Sequence, residues 1–302
     1  MTSAQIRPLD LTADAETVAG LFGEAFPFLL YDAGYLAHRI RAAARHHRLD
    51  LVAEQDGRVV GFASTQLDAE SDLPGATVAQ VVVAEAHRRQ GVGTRLIDEL
   101  RGHWRRIGST MVAGRLTDDG AARFAARNGF SKSRTERISH RPLTGLPELP
   151  ELPAGYRLRR LAELPDMHAL HRIDSVVVAD IPSDEPYSVL SYDDWVALHG
   201  SDPRLDREST TLLFDGDRPV AVAWLDRIGD RVWSGLTGTD REYRGRGLAR
   251  LVKIAALRDA AARGATDAYT NNDADNAPML AVNNRLGYRP HATQYTVLRR
   301  VS

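Results

Sequence analysis

An internal repeat constrains the fold of this chain more than any other sequence feature. Three pairs of segments match in the same order in its two halves, at offsets of 160, 156 and 158 residues. The pairs are Arg58–Ala63 with Arg218–Ala223, Glu85–Gly93 with Arg241–Ala249, and Arg127–Phe130 with Arg285–Tyr288. Such a regular period is the sequence signature of a duplicated structural unit. The 302 residues are therefore predicted to form two copies of one structural unit of about 150 residues.

The junction between the copies is marked by prolines. Between Arg141 and Tyr156, prolines stand at positions 142, 147, 150 and 153. Proline removes backbone donors and stiffens a chain toward an extended spacer. We expect an N-terminal domain at 1–144, a proline-rich linker at 145–155 and a C-terminal domain at 156–302.

Each copy alternates strand and helix patterns. Hairpin turns are expected at 56–57 and at 215–216, so neighbouring strands there run antiparallel. The longest helix of each copy begins near Val92 or Leu248, where apolar residues take helical spacing, and stops at Gly108 or Gly264. The pattern predicts an α/β (α+β) protein with a mixed sheet and flanking helices in each copy.

Charge and composition exclude several classes of protein. The chain has 39 Lys+Arg against 40 Asp+Glu and no lysine-rich run, so we expect no nucleic-acid partner. No apolar run is long enough to span a bilayer, and the start lacks a signal-peptide pattern, so we expect a cytoplasmic location and no membrane partner. Cysteine is absent, which excludes disulfides, thiolate metal sites and a cysteine nucleophile. We expect no metal.

Two glycine-containing turns, Arg88–Gly93 and Arg244–Ala249, join a predicted strand to a predicted helix. A helix N-terminus offers unpaired N–H groups and partial positive charge to an anion. Glycine allows a phosphate to approach the backbone, and arginine adds charged donors. The spacing fits neither the Walker A loop nor the dinucleotide GxGxxG motif. The turns therefore predict pyrophosphate binding of another kind.

These turns resemble the Arg/Gln-x-x-Gly-x-Gly/Ala hallmark of the GCN5-related N-acetyltransferase (GNAT) superfamily. A later motif of that family is similar to the run from Asn276 to Gly287-Tyr288. The duplication resembles the tandem arrangement of mycothiol-synthase-like proteins. The resemblance implies two tandem GNAT-like domains, each a mixed twisted sheet of six to seven strands whose fourth and fifth strands splay. It also implies acetyl-CoA as the acyl donor.

The resemblance implies that residues in both copies bind the cofactor. Among them are strand residues whose backbones would pair with the pantetheine amides. In the second copy the implied residues are Leu236, Thr237, Thr239, Arg244, Gly245, Arg246, Gly247, Leu248, Ala249, Asn271, Asn276, Met279 and Asn283. In the first copy they are Val81, Val83, Arg88, Arg89, Gln90, Gly91, Val92 and Gly93.

The second copy is predicted to be catalytic, with the first degenerate and its cofactor binding left open. Asn276 is either a cofactor ligand or a helix N-cap, and the first copy has Asp118 there, an anion beside a polyanionic cofactor. In many family members a tyrosine that acts as the general acid stands five residues before the aromatic residue of the Gly-Phe/Tyr motif. This chain has Asn283 and Ala125 at those positions. The general acid is therefore Tyr295, water, or no group at all.

The candidate general bases are Asp226, near the end of the third strand of the second copy, and the acidic residues between Asp174 and Glu208, and the sequence does not separate them. The acidic stretch from Asp174 to Glu208 is either a solvated loop or a rim that attracts a cationic amine. In that stretch Asp193 or Asp194 is expected to cap the helix that carries Trp195.

The predicted function is direct transfer of an acetyl group from acetyl-CoA to the amine of a small molecule, by a monomer or homodimer. Two alternatives stay open. One is a non-catalytic regulatory protein that binds acyl-CoA, and the other is a protein or peptide N-acetyltransferase.

Overall fold

A computed structural model describes residues 4–180 and 188–301. The chain divides into two compact units. Among the described residues, the first unit comprises 4–135, Ser188 and 294–301, and the second comprises 136–180 and 189–293. Each unit has one mixed sheet with helices packed against it, which confirms the predicted fold class.

The first copy supplies six strands and four helices. They are β1 (Gln5–Pro8), α1 (Leu11–Ala25), α2 (Ala33–Ala42), β2 (Leu49–Gln55), β3 (Arg58–Leu67), β4 (Ala76–Val83), α3 (Val92–Arg106), β5 (Met111–Leu116), α4 (Asp119–Arg127) and β6 (Ser131–Pro142). The strands β1 to β4 pair antiparallel in order. β5 then pairs parallel to β4, but only at Ala76–Val78, after which the two strands separate.

The second copy repeats this order. Its elements are β7 (Tyr156–Arg160), α5 (His168–Val178), α6 (Tyr192–Trp195), β8 (Thr211–Asp215), β9 (Arg218–Ile228), β10 (Arg231–Thr239), α7 (Leu248–Ala262), β11 (Asp267–Asp273), α8 (Ala277–Arg285) and β12 (Arg289–Arg300). β7 to β10 form the antiparallel series. β11 pairs parallel to β10 only at Arg231–Trp233, so these strands also splay.

The sixth strand of each sheet comes from the other copy. In the first unit Tyr295–Arg300 of β12 pairs antiparallel with β5. In the second unit Glu136–Pro142 of β6 pairs antiparallel with β11. The duplication alone did not lead us to expect this exchange. It brings His140 against Asp267, with 2.6 Å between Nε2 and Oδ1.

The predicted elements agree with the structure except at their edges. The first hairpin turn is Asp56-Gly57, and both residues have positive φ, as a two-residue hairpin loop requires. The second turn lies one residue later than expected, because β8 ends at Asp215 and β9 begins at Arg218.

Helix α7 is buried along most of its length, between β9 and α8. Leu251, Val252 and Leu257 form part of a core with Val220 and Tyr288. On the opposite face of this sheet, α5 and Trp195 pack on Leu212 and Trp224. In the part of the chain that the structure describes, no helix has the length and apolar character needed to cross a membrane.

Candidate active sites

The gap between β4 and β5 opens a cavity of about 540 Å³ in the first unit. Its walls combine the splayed strands, the end of α1, the glycine turn and α4. Five arginines contribute to the lining, against one aspartate: Arg88, Arg89, Arg115, Arg123, Arg127 and Asp118. Such an excess of guanidinium groups favours a polyanionic ligand.

The glycine turn of the first unit has the geometry of an anion-binding loop. Gly91 is the N-cap of α3 with φ of 83°, and no side chain caps this helix start. A Cβ added to Gly91 would lie in open space. Arg88 is braced by its Nε, which donates to the carbonyl oxygen of Val83 at 3.1 Å. The guanidinium of Arg88 and the first turn of α3 thus line the same cavity, where N–H groups of a helix start favour an anion.

Most of the predicted first-copy residues line this cavity, and two do not. Val81, Val83, Arg88, Arg89, Gly91 and Gly93 contribute to its wall. Val92 instead lies in the core, and Gln90 turns back to donate to the carbonyl of Ala86 at 3.0 Å. Asp118 caps α4 through the backbone N–H of Ala121 and lies 3.9 Å from Arg88.

The glycine turn of the second unit has the same backbone but a different arginine environment. Gly247 caps α7 with φ of 75°, again without a side-chain cap, and Arg244 Nε donates to the carbonyl of Thr239 at 3.2 Å. Here, however, the carboxylate of Asp180 pairs with Arg244 and with Arg241, whose Nε lies 2.8 Å from Oδ1. The Arg241 guanidinium, helped by Arg244, lowers the pKa of Asp180 to about 2.

A close approach of α5 to β10 brings Asp180 to this turn. A Cβ on Gly238 would lie 2.1 Å from Cγ1 of Val177, so only glycine admits the end of α5 at this position. The matching carboxylate of the first unit is Glu24, 156 residues earlier, and it accepts from the backbone N–H of Glu85 at 2.8 Å. The carboxylate at this matched position therefore contacts the turn arginines in the second unit and a backbone N–H in the first, where Asp118 lies near Arg88 instead.

The other predicted cofactor residues of the second unit fall into three groups. Arg246 donates to the hydroxyl of Tyr156 at 2.9 Å, and Asn276 caps α8 through the N–H of Met279 at 3.3 Å. Asn271 donates to Glu136 at 2.8 Å. Met279 and Asn283 lie on α8, where Asn283 is buried. The remaining members lie in the strand, the turn or the adjoining helix: Leu236, Thr237, Thr239, Gly245, Leu248 and Ala249. Of these, Leu236 and Leu248 have buried side chains and can offer only their backbones.

Asp226 lies on β9 directly opposite Trp233, the last residue of β10 that pairs with β11. The next residues of β10 form a β-bulge, in which Gly235 is the extra residue between Ser234 and Leu236. A Cβ on Gly235 would be 3.7 Å from Oδ2 of Asp226. A bulge leaves backbone groups unpaired at the point where the strands splay, next to a carboxylate.

Asp226 is buried, and Trp224 Nε1 donates to its Oδ1 at 2.8 Å. Burial raises the pKa of Asp226 above its ordinary value, and the Arg204 guanidinium, 3.9 Å from Oδ2, opposes that rise. A carboxylate with a raised pKa beside a cleft is suited to accept a proton. The first unit has Gln66 at the corresponding place on β3, with no bulge in β4. Its Oε1 accepts from Arg48 at 2.6 Å.

Tyr295 and Asp226 belong to different units of the chain. Tyr295 pairs with Leu116 in the first unit, because the last strand of the chain joins that sheet. There it packs with Ala121 and Phe130, and the Lys132 ammonium lies 3.7 Å from its ring centroid. We predicted Tyr295 as an acid for the second-copy site, whereas the strand that carries it belongs to the first unit.

Much of the acidic stretch is engaged in internal contacts. Asp174 accepts from Trp195 Nε1 at 2.8 Å, Asp202 pairs with Arg204 at 2.7 Å, and Glu208 pairs with Arg263 at 2.8 Å. Asp184 and Glu185 lie outside the described residues. Contrary to our expectation, neither Asp193 nor Asp194 caps the Trp195 helix. Ser191 does, accepting from the N–H of Asp194 at 3.2 Å.

The sequence analysis did not predict the pairing of Asp180 with the turn arginines, the bulge at Gly235 or a buried amine on α7, Lys253. It also missed Arg115, Arg123 and Arg127 in the first cavity. Aligning the two copies position by position provides a signal for Lys253, because Ile97 stands 156 residues earlier. No comparable signal marks Asp180, which is one of many acidic residues in its stretch.

Comparison with known proteins agrees with this geometry. Two family models, both described as Acetyltransferase (GNAT) domain, match residues 47–132 and 188–270. The chain is 31% identical over 283 residues to a protein of Actinosynnema mirum named Mycothiol acetyltransferase, covering 92% of this chain and 90% of the relative. It is also 31% identical over 249 residues to a Clavibacter michiganensis protein of the same name, covering 80% and 77%.

Two solved structures share the fold over nearly the whole chain. A GCN5-related N-acetyltransferase from Sphaerobacter thermophilus superposes with a TM-score of 0.76 at 18% identity, covering 98% of this chain and 95% of that one. A tandem GNAT protein from the clavulanic acid biosynthesis pathway gives 0.74 at 20% identity, covering 98% of each.

The fold and the two glycine turns thus define an acyltransferase built from paired GNAT domains. The chain belongs to the GCN5-related N-acetyltransferase family, in its tandem form, and is an acetyltransferase enzyme. The family uses acetyl-CoA as acyl donor.

Proposed function

We propose that this protein transfers an acetyl group from acetyl-CoA to the amine of a small molecule, with the reaction in the second unit. The observation that carries the proposal is the β-bulge at Gly235 beside the buried carboxylate of Asp226, at the point where β10 and β11 separate. The first unit lacks both features and has Gln66 in place of the aspartate.

The residues of both turns fit the phosphates of acetyl-CoA, which supplies an activated acetyl thioester. In the second unit the first-turn N–H groups of α7 and the guanidinium of Arg244 would hold the pyrophosphate. The carboxylate of Asp180 forms an ion pair with Arg244, so a phosphate that binds Arg244 would compete with this carboxylate. In the first unit the open cavity and its five arginines would bind a second molecule of acetyl-CoA, whose acetyl group would not be transferred there.

The chemistry of transfer requires a neutral amine and a polarised carbonyl. Asp226 accepts the proton of the acceptor amine while the amine nitrogen bonds to the acetyl carbon. The bond between that carbon and sulfur breaks, and its electron pair stays on sulfur as a thiolate. An unpaired backbone N–H of the bulge is suited to polarise the carbonyl. No tyrosine is needed as acid, since a thiol of pKa about 8.5 leaves readily as a thiolate.

The proposed acceptor class rests on the relatives, which are named Mycothiol acetyltransferase and so act on a small molecule. The domain division, with a catalytic C-terminal half and a degenerate N-terminal half, is part of the proposal, and the cytoplasmic location stays a prediction.

The test is a panel of small amines and N-terminal peptides, incubated with the whole protein and acetyl-CoA while free CoA is measured. We expect turnover with at least one small amine and none with the peptides. Release of CoA with peptides alone would overturn the acceptor class. Binding of acetyl-CoA with no turnover on any amine would overturn the reaction.

A further inference from the structure

A lysine lies buried in the core of the second unit. Lys253, on α7, is 1% exposed, and its Nζ donates to Oδ1 of Asn283 at 2.8 Å. The amine also lies 4.9 Å from the ring centroid of Tyr288. Burial of a cationic group is costly, and here it lowers the pKa of Lys253 to about 7. An apolar residue at this position would make a more stable core.

The hydrogen bonds continue from Lys253 toward the gap between β10 and β11. Asn283, itself 1% exposed, donates through Nδ2 to Oδ1 of Asn272 at 2.5 Å. Asn272 lies on β11 beyond Tyr269, the last residue that pairs with β10, and it is half-buried. The chain of three side chains therefore runs from the core to the unpaired edge of the splayed strand.

The lysine fixes the direction of this chain. In its protonated form Lys253 can only donate, so the oxygen of Asn283 must then face it and the amide nitrogen must face away. The oxygen of Asn272 then accepts from that nitrogen, so the amide nitrogen of Asn272 faces away from Asn283. With an apolar side chain in place of Lys253, either amide could rotate by half a turn and present an oxygen instead.

The first unit shows that the fold does not require these polar groups. The corresponding residues there are Ile97, Leu116, Ala125 and Phe130, in place of Lys253, Asn272, Asn283 and Tyr288. Leu116, Ala125 and Phe130 belong to one apolar cluster. Four matched positions are thus apolar in one unit and polar in the other, which is expected if the polar set serves the site.

We propose that Lys253 is a positioning residue of the second unit, which orients Asn283 so that Asn272 presents amide N–H donors to the leaving sulfur. This inference deepens the proposed function and rests on it. The donors would stabilise the negative charge that sulfur gains as the bond to the acetyl carbon breaks. These N–H groups would serve in place of the tyrosine that acts as general acid in many family members, since this chain has Asn283 at the position of that tyrosine.

The kinetic test compares Lys253→Met and Asn272→Ala, singly and together. We expect each to lower kcat about tenfold and to leave KM for acetyl-CoA within about twofold, because the donors act on the transition state. If Lys253 acts through Asn272, the double variant is no slower than Asn272→Ala. An unchanged kcat in Lys253→Met, or losses that multiply in the double variant, would contradict the proposal.

A second measurement needs no acyl donor. The side-chain amide signals of Asn272 and Asn283 in a ¹H–¹⁵N spectrum are expected to shift in Lys253→Met and to stay in place in Ile97→Met, the matched change in the first unit. Unshifted signals in Lys253→Met would overturn the positioning role. If Lys253→Met shows the expected shifts but the wild-type protein transfers no acetyl group, the proposed function fails while the hydrogen-bond chain stands.

Discussion

The two units have the same sheet plan and the same glycine turn, but they differ in what surrounds the splayed strands. The first unit has a regular ladder between β3 and β4, with Gln66 on it, and an arginine-rich cavity. The second has a bulge at Gly235, a buried Asp226 and a buried lysine. A duplicated fold has thus kept its anion-binding turn twice and its candidate proton acceptor once.

This difference separates two requirements that a single domain must otherwise combine. Binding a polyanion needs exposed positive charge, which the five cavity arginines of the first unit provide. Acyl transfer needs buried polar groups in fixed positions, which cost stability. The second unit carries that cost at Asp226 and Lys253. The following predictions test the separation, beginning with the largest expected effect.

Removing the carboxylate at Asp226 should have the largest effect on activity. Asp226→Asn keeps the shape of the side chain but cannot accept a proton from the amine. We expect kcat/KM to fall about 10²- to 10⁴-fold, the usual contribution of a general base. Initial rates of CoA release measure it. Gln66→Glu in the first unit is the matched control and should leave the rate unchanged. A loss of less than about threefold in Asp226→Asn would show that Asp226 is not the base.

Lys253 should make stability depend on pH. Its pKa is about 7 when folded and 10.5 ordinarily, so between those values the unfolded chain binds a proton that the folded chain does not. Stability contributed by this group therefore rises with pH across that window, by at most about 1.4 kcal/mol per pH unit. Urea unfolding from pH 7 to pH 10 should show Lys253→Met more stable than wild type at pH 7, with the difference shrinking as pH rises. A constant difference would contradict the buried amine.

Arg89 should show opposite effects on stability and binding. It has φ of 63°, a left-handed conformation that costs a non-glycine residue about 1 kcal/mol, and the second turn has Gly245 there. Arg89→Gly should therefore raise the free energy of unfolding by about 1 kcal/mol while weakening CoA binding in the first cavity about threefold to tenfold. Calorimetric titration in a Gly247→Glu background isolates that site. Tighter or unchanged binding would remove Arg89 from the phosphate site.

Asp180 should compete with phosphate in the second unit. Asp180→Asn releases Arg241 and Arg244, so KM for acetyl-CoA should fall about twofold to fivefold, the scale of a partly exposed ion pair, with kcat unchanged. The pKa of Asp180, about 2, keeps this competition constant across the working pH range. Glu24→Gln, at the matching place in the first unit, is the control. A raised KM in Asp180→Asn would show that Asp180 supports the turn.

The glycine turns and the mixed sheets could be predicted because they follow from local spacing and from repetition. The exchange of β6 and β12 could not, because two copies of one plan offer two similar partner strands, and the sequence does not say which is taken. For the same reason the sequence does not show that Tyr295 pairs with Leu116 in the first unit. Asp226 was one of several candidates, identified by its place near the end of the third strand of the second copy, but its burial beside the bulge is seen only in the structure. The same holds for Asp180, whose contact depends on the packing of Val177 against Gly238.

The central claim, that the second unit transfers the acetyl group while the first only binds cofactor, is tested most directly by one matched pair of variants. Gly247→Glu and Gly91→Glu each place a carboxylate at an uncapped helix start where a phosphate would bind. Steady-state CoA release with an accepted amine should be lost, by about 10²-fold or more, in Gly247→Glu. The variant Gly91→Glu should have the same kcat as the wild-type protein. The reverse pattern, with turnover lost in Gly91→Glu and kept in Gly247→Glu, would place catalysis in the first unit and contradict the account.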